Sequence, residues 1–290
     1  MTARRDLARL DEQGLLHRTH GGAVALSAPQ KRALRPLQTT APEARLALLD
    51  RSDVLIVTPS GGATIHVLVE RARRAGVPII AESISYPGAT TVVAIDDYRA
   101  GTELAYWVGE YVQRHFGGQA RILDLTSTLP NTILRSRGFT DGIRQMLPNA
   151  EVILSVDGQG LRDEARRVSA DAFALYPDIN VVFGINDDSV LGALDAYRMA
   201  GLDERNLLAV GFGFEGDLSR RLLSQGNSPF KACVAMFPEL VGRVCVQAAV
   251  CAYHGHALPG RIMTPYQIVT PALFDRFYHW DLQTGSSIVN

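Results

Sequence analysis

Beyond residue 52 the chain alternates short, almost unbroken apolar runs with longer stretches in which apolar side chains recur three or four residues apart. The runs are Val54 to Thr58, Val77 to Ala81, Thr91 to Ile95, Ala120 to Leu125, Val152 to Val156, Asn180 to Ile185 and Leu207 to Phe212, all rich in valine and isoleucine. Such runs predict strands covered on both faces. Helical spacing falls between them, over Ile65 to Ala75, Tyr98 to Phe116, Thr132 to Leu147, Arg162 to Tyr176 and Ser189 to Ala200. Strand alternating with helix predicts an α/β fold of doubly wound parallel sheets. One more strand, Ala232 to Met236, precedes a helix over Pro238 to Tyr253 that is apolar nearly all round and is expected in the core.

In that architecture ligands gather beyond the carboxyl ends of the strands. The residues ending these runs are Thr58-Pro59-Ser60-Gly61-Gly62, Glu82-Ser83, Asp96-Asp97, Thr126-Ser127, Asp157-Gly158 and Asn186-Asp187-Asp188. Taken singly, each reads as a helix cap or a turn. Taken together they predict a polar cleft.

Residues 1–26 follow another pattern. Leu7 and Leu10, with Ala3 and Ala8, form a narrow apolar stripe, while Arg4, Arg5 and Arg9 project elsewhere. Gly14 stands where a left-handed residue would end that helix. Leu15 to Thr19 and Ala23 to Leu26 then flank the permissive turn His20-Gly21-Gly22, which predicts a hairpin. A helix and a small β wing that share Arg4, Arg5, Arg18 and His20 suit a phosphate backbone, with Gly21 offering its amide. Residues 27–42, with several prolines and no periodicity, read as a linker.

Charge supports this division. The chain carries 29 lysines plus arginines against 30 acidic residues, yet residues 1–36 hold seven basic side chains and only Asp6, Asp11 and Glu12 in opposition. A basic head on an acidic body fits a DNA-binding segment joined to a sensor. Cys233, Cys245 and Cys251 lack metal-ligand or disulfide spacing, which leaves a reducing cytoplasm as the expected compartment. With Arg4, Arg5 and Arg9 interrupting the N-terminus and no run of about 18 apolar residues anywhere, a soluble protein that is not exported is expected.

Other signals point elsewhere and are set aside. Gly211 to Gly216 fits G-x-G-x-x-G, but too little chain follows for a dinucleotide-binding half. His17 and His20 lie on a strand and turn, where wing contacts are favoured over a metal pair. No nucleophile elbow or Cys/His pair indicates covalent catalysis, so no catalytic residue, metal or cofactor is expected.

Two resemblances sharpen the picture. Arg4-Arg5-Asp6-Leu7, Leu10 to Gly14 and Arg18-Thr19-His20-Gly21-Gly22 resemble the second half of the winged helix-turn-helix of DeoR-type regulators. The resemblance implies that Thr2, Arg4, Arg5, Arg18, His20 and Gly21 contact operator DNA. Met1 falls inside the motif, so the family's first two helices are expected to have no counterpart in this sequence.

From about Asp53 to Ile268 the chain resembles the type I periplasmic-binding-protein fold of ribose-type receptors and of LacI/GalR-type sensor domains. The carrying segments are Gly76 to Ile80, Arg135 to Phe139, Tyr176-Pro177-Asp178, Val181 to Asp187, Leu191-Gly192-Ala193 and Val210-Gly211-Phe212. The resemblance implies two lobes within residues 43–290, the first about 43–97 and 237–262, the second about 98–236 and 263–275, with a last strand near Gln267. It also implies homodimers and a ligand cleft between the lobes.

Carried over residue by residue, Arg135 matches a sugar-clamping arginine, with Arg137 as the alternative if the turn is shifted. Asn186 matches an amide that bonds a sugar hydroxyl, Glu82 stands where an aspartate is frequent, and Asp157 lies near another contact loop. Gly213 replaces an aspartate and Met236 a hinge glutamine, so two polar contacts to a pentose or hexose are absent. The family's first strand, helix and second strand also lack counterparts, because only the linker and a helix over Glu43 to Asp50 precede Val54. A central strand is then missing from the first lobe unless residues 23–42 or another chain supply it. The expected protein is a cytoplasmic transcriptional regulator sensing a sugar or related polyol, with no membrane partner. The alternative is a solute-binding module without DNA binding, and an enzyme ranks last.

Overall fold

The computed structural model describes residues 16–19, 22–25, 52–58, 64–280 and 286–289. A hairpin comes first, β1 (Leu16–Thr19) and β2 (Gly22–Ala25), followed by β3 (Leu55–Val57), α1 (Thr64–Ala75), β4 (Ile79–Glu82) and β5 (Thr91–Ala94). Next are α2 (Asp97–His115), β6 (Arg121–Thr126), α3 (Pro130–Met146), β7 (Glu151–Asp157), α4 (Arg162–Leu175), β8 (Val181–Gly184) and α5 (Asp187–Met199). β9 (Leu208–Gly213), α6 (Asp217–Gln225), β10 (Phe230–Ala235), α7 (Pro238–Tyr253), β11 (Arg261–Met263) and β12 (Gln267–Val269) follow. The chain closes with α8 (Phe274–Phe277), β13 (Tyr278–Trp280) and β14 (Ser287–Val289). The described residues form two compact units, one running up to Ile95 and including Pro238–Thr264, the other Asp96–Phe237 with the residues from Pro265 on.

The first unit is a parallel sheet in the order β11-β5-β4-β3. Successive strand residues point to opposite faces, so Ile80 and Val93 pack on Val241, Cys245, Ala248 and Ala249 of α7, while Ile79 packs with Leu55 on Val69 and Ala72 of α1. One face of α7 therefore lies in the core, whereas Val250 and Tyr253 are exposed, so the helix is less buried than its apolar sequence predicts. β3 is the sheet edge among the described residues, and β2 comes within 8 Å of it with no backbone ladder between them. The β1–β2 pair is the hairpin expected of residues 15–26, with Arg18 opposite Ala23.

The second unit has six strands in the order β12-β10-β9-β8-β6-β7, all parallel except β12, which runs antiparallel to β10. Phe183 and Phe212 face one side of this sheet, where Phe139 of α3 stacks on Phe183 with ring centroids 4.3 Å apart. Val182 and Ala209 face the other side, toward Ala165 and Phe173 of α4 and Val190 and Leu194 of α5. β7 departs from the expected double burial, because it is an outermost strand and its residues are half-buried or exposed. α6, β11 and the β13–β14 hairpin are not among the elements predicted from the apolar runs. α6 is a polar nine-residue helix and each of those strands is three residues long, too short to show a period.

α2 and α3 touch backbone to backbone. A Cβ on Gly101 would fall 2.4 Å from the Arg135 carbonyl oxygen, and one on Gly138 would fall 2.1 Å from that of Tyr98. Only glycine permits this approach, and it sets the position of α3 and of the arginine it carries.

Asp124 lies buried at the centre of β6, accepting from the hydroxyls of Ser136 (2.9 Å) and Ser155 (2.7 Å). Burial pushes its carboxyl above the ordinary range, against the two hydroxyls that favour the anion. A carboxyl raised in the folded state contributes stability below its unfolded pKa and loses that contribution as pH rises through the folded value. Asp124→Asn is therefore expected to compare worst with wild type near pH ~4 and to gain on it toward neutrality, read as the difference in Tm across a pH series. A difference that stays flat with pH would contradict the assignment.

Candidate functional site

Because the strands of the second unit other than β12 are parallel, their carboxyl ends meet at one edge, bringing together Ser127, Asp157, Ile185-Asn186, Gly213-Phe214 and Met236. Backbone strain concentrates at such edges. Among the described residues the non-glycine positions with positive φ are Ser83, Gln159, Phe214 and Phe237 (67°, 55°, 58° and 49°), and each sits one or two residues beyond a parallel strand. Left-handed backbone at a residue with a Cβ costs about 1–2 kcal/mol, and strain of this kind collects where a surface is shaped for binding.

Arg135 projects from α3 to this edge. Its Nε donates to Asp97 Oδ1 at 2.7 Å and its Nη1 to the Ile185 carbonyl at 2.9 Å, while its guanidinium lies 5.0 Å from the Phe212 ring centroid. The two side chains of this ion pair are only 7% and 5% exposed. Two hydrogen bonds engage two of the five guanidinium N–H groups, so a fixed plane of donors is left at the end of β8. Arg137 instead is 72% exposed and turns to Asp141, 3.7 Å away. Of the two arginines in the motif, Arg135 is the one at the strand ends.

Asn186 is the N-cap of α5. Its Oδ1 accepts from Ser189 N (2.9 Å) and Ser189 Oγ (2.7 Å), and its Nδ2 donates to the Gly160 carbonyl at 2.8 Å. Both lone pairs of that oxygen are used, so toward a ligand the side chain has one N–H to give and no acceptor. Asp157 closes a turn by accepting from Gln159 N at 2.7 Å.

Asp187, which sequence reading placed only in the strand-end set, organises the edge. Its Oδ1 accepts from Phe214 N (3.1 Å), and its Oδ2 accepts from Glu215 N (2.8 Å), Gly216 N (3.0 Å) and Ser219 Oγ (2.7 Å). Burial pushes this carboxyl upward against those donors and raises the nearby Cys233 thiol well above its usual range, keeping the thiol protonated. Arg220 secures the same loop from beneath, donating from Nε to the Phe214 carbonyl (2.7 Å) and from Nη1 to Ser287 Oγ (3.1 Å), with its guanidinium 4.6 Å from the Tyr278 ring centroid. The C-terminal hairpin is thereby tied to the β9 turn. Nothing in the apolar pattern marks that tie, although a buried arginine among aromatic residues is its physical signature.

Gly213 has φ +102° and its carbonyl accepts from Met236 N at 3.2 Å, so these two residues are adjacent at the strand ends. In the first unit, Glu82 ends β4 on the face packed by α7. Burial, with the Glu82 charge added to it, pushes the Cys245 thiol up to about 12. Thr2, Arg4, Arg5, His20 and Gly21, and the helix expected over residues 43–50, lie outside the described residues.

Removing Arg135 takes the guanidinium from a buried carboxylate. Arg135→Ala is expected to lower unfolding free energy by about 3–5 kcal/mol in urea titration, and Arg135→Lys to recover little, since a point charge cannot span both Asp97 and the Ile185 carbonyl. A loss below about 1 kcal/mol for the alanine variant would contradict this reading of the pair.

Comparison with known proteins agrees with this architecture. A family model described as a periplasmic binding protein domain matches residues 45–256, and one described as a DeoR-like helix-turn-helix domain matches residues 1–28. The ribose import binding protein of Bacillus subtilis (strain 168) is 28% identical over 222 residues, 75% of this chain and 68% of that protein. Its Escherichia coli (strain K12) counterpart is 23% identical over 219 residues, 74% and 71% respectively. The xylitol-binding protein of Mycolicibacterium smegmatis is 29% identical over 155 residues, 51% and 43%. A galactofuranose binding protein structure superposes with TM-score 0.75 at 19% identity, covering 94% of this chain and 91% of the other. A periplasmic solute binding protein from Actinobacillus succinogenes with bound D-allose gives TM-score 0.71 at 20% identity, covering 81% and 82%. The fold is therefore type I periplasmic-binding-protein-like, and with well over half its length matched by the first model, the chain belongs to the periplasmic binding protein domain family.

Proposed function

We propose that this chain is a DNA-binding transcriptional regulator, cytoplasmic and homodimeric, whose α/β domain binds a small sugar or polyol without chemical turnover. The observation that carries the reading is the succession on one chain of a DeoR-like helix-turn-helix match and a periplasmic-binding-protein match. Arg4, Arg5, Arg18 and His20 supply phosphate-directed donors at the head, with Thr2 and Gly21 beside them. The planar donors of Arg135 suit neighbouring hydroxyls of a neutral ligand. Relatives that are a ribose import binding protein and a xylitol-binding protein point to the same class. Ligand and DNA are coupled only if the ligand prefers one of the arrangements the regulator adopts.

Two measurements test the halves separately. Thermal unfolding with D-ribose, D-allose and xylitol should show one that, at a hundred times its Kd, adds about 2.7 kcal/mol, or about 5–10 °C in Tm. No shift with any of the three, nor with other neutral polyols, removes the sugar reading.

For the head, a mobility shift across a salt series should show preference for the DNA upstream of the protein's own gene over a scrambled duplex of equal length. Arg4→Ala and Arg5→Ala are each expected to reduce the slope of log K against log salt by about 0.9. Equal binding to both duplexes, unaffected by these substitutions, removes the regulator reading and leaves a solute-binding module.

A further inference from the structure

Phe214 and Phe237 stand in matching places. β9 and β10 are parallel neighbours with Ala235 opposite Gly213, and each strand runs on into a phenylalanine held left-handed, at φ 58° and 49°. A left-handed residue with a Cβ persists only where its surroundings impose that conformation. At Phe214 the bonds from three consecutive amides to Asp187 do so. Phe237 is followed by Pro238, which has no amide to donate in a comparable set, so its conformation has to be imposed through its side chain.

Both rings pack on Tyr278, whose side chain is fully buried. Phe214 meets it edge to face with centroids 5.2 Å apart, and Phe237 stacks on it at 6.1 Å with an interplanar angle of 18°. The tyrosine is itself fixed by the hairpin that carries it. It stacks on Phe274 at 5.6 Å and lies 4.6 Å from the Arg220 guanidinium, while β13 pairs with β14 through Trp280 opposite Ser287. Ser287 anchors β14, donating from N (3.0 Å) and Oγ (2.9 Å) to Asp217 Oδ1 and accepting at Oγ from Arg220 Nη1 (3.1 Å). One ring thus supports a strained residue at the tip of β9 and another at the tip of β10, and the second unit gives way to the first between Phe237 and Pro238.

We infer that the C-terminal hairpin is a strap that, through Tyr278, makes the β9 turn and the Met236–Phe237 segment one conformational unit. A disturbance of the β9 turn is then transmitted to the residues by which the chain leaves the second unit, because neither phenylalanine can abandon its left-handed conformation without loosening the ring that holds the other. The coupling is a property of the unliganded protein and holds whether or not the ligand is a polyol.

The test is native-state amide hydrogen exchange, read by NMR without added ligand, on wild type, Phe237→Leu, Tyr278→Leu and the double variant. Phe237→Leu is expected to speed exchange at Phe214, Glu215 and Gly216 by about threefold or more, although it lies in the other turn, and to add nothing further once Tyr278 is replaced. Phe173→Leu, which loosens the packing of α4 on Tyr197, controls for general destabilisation and is expected to leave those three amides at wild-type rates. Unchanged exchange in Phe237→Leu, an equal acceleration in Phe173→Leu, or an effect of Phe237→Leu that persists undiminished in the Tyr278→Leu background overturns the inference. Should Tyr278→Leu fail to fold, Ser287→Ala takes its place. By freeing the hairpin from Asp217 and Arg220 it is expected to speed exchange at Phe214 to Gly216 and at Met236 together, and acceleration at only one of the two turns overturns the inference.

Discussion

The carboxylate of Asp187 holds the end of β9 to the end of β8, taking hydrogen bonds from three consecutive amides and a serine hydroxyl. Each amide is a donor that the turn before α6 would otherwise present to solvent, and together they offset the cost of keeping Phe214 left-handed. From that turn follow the burial of the Phe214 ring beside Tyr278, the reach of Arg220 to the Phe214 carbonyl, and the attachment of the C-terminal hairpin. The shape of the strand-end edge thus depends on one buried acceptor serving a loop that has few backbone partners of its own.

A second constraint acts from the opposite face of the sheet. Gly101 and Gly138 let α2 and α3 approach until their backbones touch, which delivers Arg135 to Asp97 and to the Ile185 carbonyl. The arginine is oriented by contacts that are all internal to the second unit. Its remaining donors are pre-set, and a ligand meeting them would not bear the entropy of ordering a long side chain.

Much of the fold is legible in the residues because continuous apolar runs and helical spacing are strong signals in a sheet covered on both faces. α7 begins and ends at the residues its periodicity predicts, and the principal strands fall within one or two residues of their apolar runs. The candidate site is legible only in part. Strand-end polar residues are identifiable, and so is Arg135 through its motif, but whether Asn186 caps a helix or faces a ligand depends on which lone pairs Ser189 takes. The terminal hairpin escapes for a simpler reason, its strands being too short to carry a period.

The central claim is that a neutral polyol is held at the strand ends of the second unit by the guanidinium of Arg135. A crystal structure of the protein grown with D-ribose, D-allose or xylitol tests it most directly. The account predicts ligand hydroxyls within hydrogen-bond distance of Arg135 at the ends of β8 and β9. A ligand seated away from those strand ends, with Arg135 bonded only to Asp97 and Ile185, would contradict it.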